Sequence, residues 1–429
     1  MLGKTQTTVL ENGCRVVTSE MPGVESFAIA FDAGVGSRHE NRAHAGWSHF
    51  LEHMLFKGSV KRPSTRALSQ PVEGRGGLMN AYTALERTCF FGAVPYDAAP
   101  ILADVLGDMY VSPLFAQKEI ERERNVVLEE IKMYHDDDSS FALELGQDAL
   151  WGGHPLGRPV LGTEKSLAAA DSGTIRAFHR ASYRARGTIV AAAGRLEHEK
   201  VVDMVRARVA ELPPGPAPRA KPASAAPAPK PLAFERRETQ QVQVALCFRA
   251  IPYDDPRAPA AAVLAQILGR GMTSRLFMSL RERRGMAYSV VVEPSYSPDG
   301  GSFSVLAGVD PHRSVAAVAL CAKELRRIAT ENAGKAEFAR AVKFLAGVRR
   351  MHGETSSQQL SWILEKTRMA GRVETPEEYI RKIMAVTPDD VRGVAADIFR
   401  PDAATLALVM PRELPETPEK HLDAVLQAL

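Results

Sequence analysis

Two histidines and a glutamate stand close enough in Ser48-His49-Phe50-Leu51-Glu52-His53 to do metal chemistry together. On a helix, His49 and His53 are i and i+4, so their imidazoles can converge on one ion. Glu52 lies beside them, placed to take a proton from a water activated at that ion. The order His-x-x-Glu-His reverses the commoner His-Glu-x-x-His helix. Around the polar trio stand Phe50, Leu51, Met54, Leu55 and Phe56, the composition of an ordinary core helix. Burying two imidazoles and a carboxylate there costs free energy unless they are partnered, which favours a metal over plain packing.

A catalytic zinc usually takes three protein ligands and leaves a fourth position open, so a third side chain is expected from elsewhere. The stretch Glu119-Ile120-Glu121-Arg122-Glu123-Arg124-Asn125-Val126-Val127-Leu128-Glu129-Glu130-Ile131 reads as a helix. Glu123 and Glu130, seven apart, share a face with Ile120, Val127 and Ile131. A metal would explain one carboxylate on that apolar stripe, and support of a ligand would explain the other. Arg122 and Arg124 allow a blander account, Glu/Arg pairing on a solvated helix. Spacing by itself does not choose among Glu121, Glu123, Glu129 and Glu130.

The elements that must hold these residues recur along the chain. A strand over 26–32 leads to the motif helix over 45–56, then to strands over 78–83 and 88–94 and a helix over 98–109. The second half repeats that order, with a strand over 241–248, a helix over 260–268, strands over 287–294 and 301–309, and a helix over 314–330. This predicts an α+β fold of two similar α/β sandwiches, each an antiparallel sheet with helices on one side, duplicated within the chain. The second copy has Ala and Gln where the first has its metal-binding residues, so one metal site is expected. Between the copies, 213–231 holds eight of the 28 prolines. Such a stretch is extended and semi-rigid, with a reach of roughly 60 Å if wholly polyproline-like. The expected division is a catalytic domain 1–212, a linker 213–231 and a second domain 232–429.

The chain resembles the pitrilysin/insulinase family of zinc peptidases, most of all the short branch with the mitochondrial processing peptidase catalytic subunit and its bacterial relatives. The resemblance runs from Thr8-Val9-Leu10-Glu11-Asn12-Gly13 through Gly34-Val35-Gly36-Ser37-Arg38, the His49–His53 motif, Gly76-Gly77-Leu78-Met79-Asn80-Ala81-Tyr82-Thr83 and the Glu123–Glu130 segment. It returns at Met272-Thr273-Ser274-Arg275-Leu276-Phe277 and at Arg281-Glu282-Arg283-Arg284-Gly285-Met286-Ala287-Tyr288. It implies one zinc per chain on His49, His53 and Glu130, with Glu123 in support and Glu52 as base. It implies an extended peptide paired along the strand of Asn80 and Ala81, and Arg281 and Tyr288 holding the substrate and its developing oxyanion. In longer relatives the zinc motif lies in one half and the Arg/Tyr pair in the other, and the halves enclose a chamber. A chain of 429 residues supplies one half, which implies a homodimer acting on short or unfolded peptides. The segment 67–75, with Pro71 inside, departs from the regular helix the family has there.

Composition narrows the classes. With 45% hydrophobic and 24% charged residues the chain is globular, and a net charge of +3 gives no case for nucleic acid. Cys14, Cys89, Cys247 and Cys321 are scattered, which suits free thiols in a reducing compartment. Gly34-Val35-Gly36 without a third glycine is a turn rather than a phosphate loop. His39, His44, His135 and His154 form no second spaced pair. Met1–Thr8 is polar, and no apolar run reaches the roughly 20 residues of a membrane span, so the expectation is a cytoplasmic protein without membrane partners. The leading reading is a zinc metalloendopeptidase. The alternatives are a non-catalytic scaffold subunit of a peptidase-like assembly and a peptide-binding module with a vestigial metal.

Overall fold

Strand β3 (Ser26–Ala33) is buried along nearly its whole length, and its alternation explains the architecture around it. Phe27, Ile29 and Phe31 face one way, while Ala28, Ala30 and Asp32 face the other. In this computed structural model, which describes residues 3–227 and 229–429, β3 is interior to a six-stranded sheet. The first two residues of the N-terminal segment and Ala228 of the Pro/Ala-rich run lie outside the described residues. The other strands of this sheet are β1 (Lys4–Val9), β2 (Arg15–Glu20), β4 (Leu78–Thr83), β5 (Thr88–Pro95) and β6 (Thr188–Gly194), in the order β1-β2-β6-β3-β5-β4. Every pairing is antiparallel except β2 with β6.

On the large-residue face sits the core, with α1 (Trp47–Leu55), α2 (Thr65–Glu73), α3 (Ala99–Val111) and α4 (Gln117–Asp136) contributing Phe50, Leu68, Leu106 and Val127. Helix α2 begins at Ser64, whose hydroxyl accepts from the Ala67 amide, and stays helical through Pro71. That proline cannot donate back to the Ala67 carbonyl, so the helix gives up one hydrogen bond there and ends within the same turn.

The opposite face of the sheet is also covered, by one helix. Ala28, Ala30, Ala191 and Ala193 leave a shallow surface, and the helix Ser356–Ala370 lays Leu360, Ile363 and Leu364 on it. Each of these is almost fully buried, at about 1.5–3 kcal/mol apiece. The same helix brings Arg368, whose Nε donates to Asp32 Oδ1 at 2.6 Å and whose Nη2 donates to the Asp32 and Gly187 carbonyls. Asp32 is fully buried, so this ion pair sits inside the packing.

The second half repeats the plan. Strands β7 (Leu232–Arg237), β8 (Val242–Ala250), β9 (Ala287–Ser297), β10 (Gly300–Val309) and β11 (Thr405–Pro411) run in the order β7-β11-β8-β10-β9. Again one pair, β7 with β11, is parallel. Sheet order matches the first copy strand for strand from β2 onward. The outer face is covered by α5 (Asp138–Trp151), where Gly146 approaches so closely that a Cβ would stand 2.8 Å from Cys247 Sγ.

The fold class is therefore the expected duplicated α+β sandwich, with helices on both faces of each sheet rather than one. The division of the chain differs from the linear one. One unit takes the chain through Ile131, Pro159–Lys221 and Arg350–Pro376; the other takes Lys132–Arg158, Pro222–Arg349 and Glu377–Leu429. Each half lends one helix to the other's sheet, because each alanine-rich face needs a cover its own half does not supply. Nor is 213–231 a free spacer. Pro213 and Gly215 carbonyls accept from Ala185 and Arg186, the Pro222 carbonyl bonds His154 Nε2, and the Ala223 amide donates to Asp299. Proline lacks a donor but keeps its carbonyl, so such a run can still be fastened down.

All four cysteines are free and buried, and burial pushes Cys14, Cys247 and Cys321 up to about 12, which leaves them unreactive. Among the described residues no helix is long and apolar enough to cross a membrane.

Arg368→Met leaves the buried Asp32 charge with only Arg87, 3.8 Å away and without a hydrogen bond, and is expected to cost about 3–5 kcal/mol in urea unfolding. Adding Asp32→Asn should recover a large part of that loss. A single-variant cost below about 1 kcal/mol would show that the pair does not fasten the helix.

Candidate metal centre

Helix α1 is fixed at its start by two neighbours. Gly46, at φ +83°, turns the chain into the helix, and a Cβ there would lie 2.3 Å from the Leu161 carbonyl oxygen. The buried Glu40 carboxylate then accepts from the amides of Gly46 at 2.7 Å and Ser48 at 2.6 Å. A negative group at a helix N-terminus satisfies otherwise idle donors and complements the helix dipole. Phe50, Leu51, Met54 and Leu55 anchor the apolar face with no exposure. The helix is thereby held in rotation as well as position.

His49 and His53 emerge one turn apart, with ring centroids 4.7 Å from each other. Across from them, α4 presents Glu130. Its Oε2 lies 3.7 Å from His49 Nε2 and 3.5 Å from His53 Nε2. Tetrahedral zinc bonds of about 2.0–2.1 Å put ligand atoms roughly 3.3 Å apart, close to these separations. Glu130 Oε2 is buried with no hydrogen-bond partner among the described residues. A carboxylate oxygen left idle against two imidazole nitrogens is the donor set of a cation site, so these residues fit zinc. Burial, and then the neighbouring His53, lower the pKa of His49 to about 4, so its ring is neutral and able to ligate.

A supporting chain fixes the second imidazole. Glu123, 4% exposed, places Oε2 3.2 Å from His53 Nδ1, and its Oε1 is 2.6 Å from Lys57 Nζ. With Nδ1–H given to the carboxylate, the Nε2 lone pair points toward Glu130. Lys57 neutralises Glu123 and holds it in place. Glu52 stands next to the cluster and accepts a 2.6 Å hydrogen bond from Thr83 Oγ1. Burial raises its pKa above the ordinary carboxylate value, with Thr83 and His53 opposing the rise.

Thr83 ends β4, one of the two edge strands of the first sheet. The β4–β5 hairpin closes with the Ala84 amide donating to the Arg87 carbonyl. Alternation along the antiparallel pair then turns the backbone groups of Met79, Ala81 and Thr83 outward. The Asn80 side-chain oxygen meanwhile accepts from the Ala81 amide at 2.8 Å. Asn80 and Ala81 thus lie where a further strand can add.

Arg281 and Tyr288 belong to the other unit, and the structure brings them together there. Arg281 closes a π-helical turn, Phe277–Glu282, with its guanidinium 5.5 Å from the Tyr288 ring and 5.1 Å from the Phe277 ring. Tyr288, near the start of β9, is 73% exposed.

The four histidines near the motifs in sequence have other employment. His39 accepts from the Gly36 amide, His44 stacks on Trp47, His135 lies 3.6 Å from Glu144, and His154 bonds Pro222. None joins the cluster formed by His49, His53 and Glu130. Glu40, Lys57 and Thr83 are the contributors that spacing does not reveal. Lys57 is one turn beyond His53, and a helical projection places it near Glu123 only once α1 and α4 are known to face each other.

Comparison with known proteins identifies the family of the chain. Residues 15–164 match the family described as Insulinase (Peptidase family M16), and residues 170–345 match the Peptidase M16 inactive domain. A Streptomyces coelicolor protein named as an uncharacterized zinc protease is 36% identical over 410 residues, 93% of this chain and 88% of the relative. The Bacillus subtilis zinc protease YmxG is 31% identical over 94% of this chain and 97% of its own. A crystal structure of a protease from Helicobacter pylori superposes with a TM-score of 0.87 at 20% identity, over 96% of this chain and all of that one. A peptidase M16 inactive domain from Pseudomonas fluorescens gives 0.88 at 20% identity, over 95% of this chain and 98% of that one. At that identity the two structures speak for the fold alone.

Elemental analysis of purified variants separates ligand from base. Glu52→Gln is expected to keep close to one zinc per chain, and Glu130→Gln to lose it. Glu123→Ala should weaken zinc binding about 10–100-fold through His53. Equal zinc loss in Glu52→Gln and Glu130→Gln would reverse the assignment.

Proposed function

The chain belongs to the insulinase family of M16 peptidases, and on that premise we propose that it is a zinc-dependent endopeptidase acting on short or unfolded peptides. The observation that carries this reading is the idle Glu130 oxygen facing His49 and His53, with the Glu52 carboxylate held beside it by Thr83. Zinc, when bound, supplies Lewis acidity toward water and toward the scissile carbonyl. His49, His53 and Glu130 would hold it. Glu52 accepts the proton of the attacking water and delivers it to the leaving amine. Its raised pKa suits both transfers, since a more basic carboxylate accepts more readily and its acid form remains a competent donor.

The substrate is proposed to add to the edge of β4 as a strand. The outward backbone groups at Met79 and Ala81 recognise peptide without regard to side chain, and the Asn80 oxygen yields the Ala81 amide to the incoming carbonyl. Thr83 joins this edge to the base, so that strand addition and proton transfer share one support. Tyr288 donates to the developing oxyanion and Arg281 holds a substrate carbonyl, each served from a second copy of the chain. The two copies form a homodimer around an enclosed chamber.

An unfolded peptide digested by the wild type and by Glu52→Gln tests the chemistry, with a loss of at least about 10²–10⁴ in kcat/KM expected. A stable folded domain should resist cleavage that its unfolded form suffers, and equal rates on both would remove the chamber from the proposal. For the shared site, two dead variants, Glu52→Gln and Tyr288→Phe, are mixed under conditions of subunit exchange. A mixed dimer has one intact site, so activity should return to about a quarter of wild type per chain. A mixture that stays inactive while native mass spectrometry reports exchange would exclude it.

A further inference from the structure

We propose that Thr83 makes the Glu52 base sensitive to occupation of the β4 edge, so that extended peptides are turned over faster than very short ones. The inference rests on the reading of β4 as the substrate's edge, and adds a route from that edge to the reacting centre. Thr83 belongs to both. Its backbone ends β4 opposite Thr88, two residues beyond Ala81. Its hydroxyl donates to Glu52 Oε2 at 2.6 Å, the one hydrogen bond that Glu52 makes through its side chain among the described residues. The same hydroxyl lies 3.5 Å from the Ser48 carbonyl, one turn earlier on α1.

The base has little else to orient it. A glutamate side chain has three torsions, and a helical backbone restricts chiefly the first. Which way the Glu52 carboxylate faces therefore depends on where Thr83 stands. Thr83 in turn sits on a strand supported from one side, since β4 pairs with β5 and its other edge is open. In the free chain the Ala81 amide is met by the oxygen of its neighbour Asn80, not by a further strand. A peptide paired at Met79 and Ala81 restrains β4 from both sides, and restrains Thr83 with it. Misplacement of a reacting group by about 1 Å costs on the order of 10²-fold in rate, so a small gain in order at Thr83 is read in kcat. Peptide residues remote from the scissile bond then contribute to the chemical step, and their removal lowers kcat as well as raising KM. At about 3.3 Å per residue the edge from Met79 to Thr83 spans roughly 13 Å, which takes about four or five paired residues.

Steady-state cleavage of a peptide series tests the coupling. The series keeps one scissile pair and is lengthened residue by residue at either end. With the wild type, kcat is expected to rise at least about tenfold and to level off once about five residues pair with the edge. Thr83→Val keeps the shape and loses the hydroxyl. It should retain close to one zinc per chain by elemental analysis, and its kcat should change less than about twofold along the series while KM still falls with length. Thr83→Ser should restore the rise in kcat. A peptide with a reduced, uncleavable bond should bind wild type and Thr83→Val with equal Kd by fluorescence anisotropy, because the backbone edge is unchanged. The coupling is overturned by a full rise in Thr83→Val, by its inactivity at every length, or by its loss of zinc or of peptide affinity. Failure of Thr83→Ser to restore the rise, or length acting on KM alone in the wild type, overturns it too. All of these leave β4 as the substrate's edge. If length changes neither constant, the edge reading itself fails and takes this proposal with it.

Discussion

The Glu130 oxygen that faces two imidazole nitrogens has no hydrogen-bond donor of its own among the described residues, and much of the first unit is arranged to keep it that way. Three electron-pair donors brought together out of solvent repel one another unless a cation joins them. To hold that geometry the chain fixes both helices independently. Glu40 and Gly46 set the start of α1, apolar burial sets its rotation, and Ile120 and Val127 seat α4 in the same core. The Lys57–Glu123–His53 chain then chooses which nitrogen of His53 is free. A ligand set held by two rigid helices is more precise than one on loops.

The duplicated architecture shows how little of this is a property of the fold. The second sheet repeats the strand order, the single parallel pair and the outer covering helix of the first. Its counterpart of α1, the helix Ala258–Gly269, carries only Ala, Pro, Val, Leu, Ile, Gly and Gln266. With the same backbone plan and no ligating side chains, that copy is free for other uses. Its polar chemistry is concentrated instead around the π-helical turn before β9, where Arg281 and Tyr288 meet.

Much of the centre is legible in the sequence because helical periodicity is local. His49, Glu52 and His53 are neighbours in number, so 3.6 residues per turn suffices to place them on one face. The paired Glu123 and Glu130 are visible as a heptad, but their separate duties depend on which helix stands opposite, and only family resemblance distinguishes them. Thr83 and the Lys57–Glu123 pair act through tertiary proximity, which no spacing encodes, and Glu40 reaches the start of α1 only through the particular path of the loop between them. The repeated strand and helix order is equally readable, since period-2 and period-3.6 patterns recur in sequence. The exchanged helices are not. Amphipathicity marks Ser356–Ala370 and Asp138–Trp151 as packing elements without saying against which sheet. One physical clue does exist: Ala28 and Ala30 alternate with Phe27, Ile29 and Phe31, residues 189–193 are apolar at every position, and a strand apolar on both faces must be covered on both.

That exchange bears on how the chain reaches its native state during synthesis. The last strand of the first sheet, β6, is complete at Gly194, but the helix that covers the outer face ends only at Ala370. At about 5–20 residues per second, a ribosome leaves that alanine surface and the Asp32 carboxylate uncovered for roughly 9–35 seconds. The first unit is therefore completed only by a late segment of the chain, after most of the second sheet's strands have been made. Contacts of such long sequence separation slow folding, and in the interval the exposed apolar face is open to misassociation.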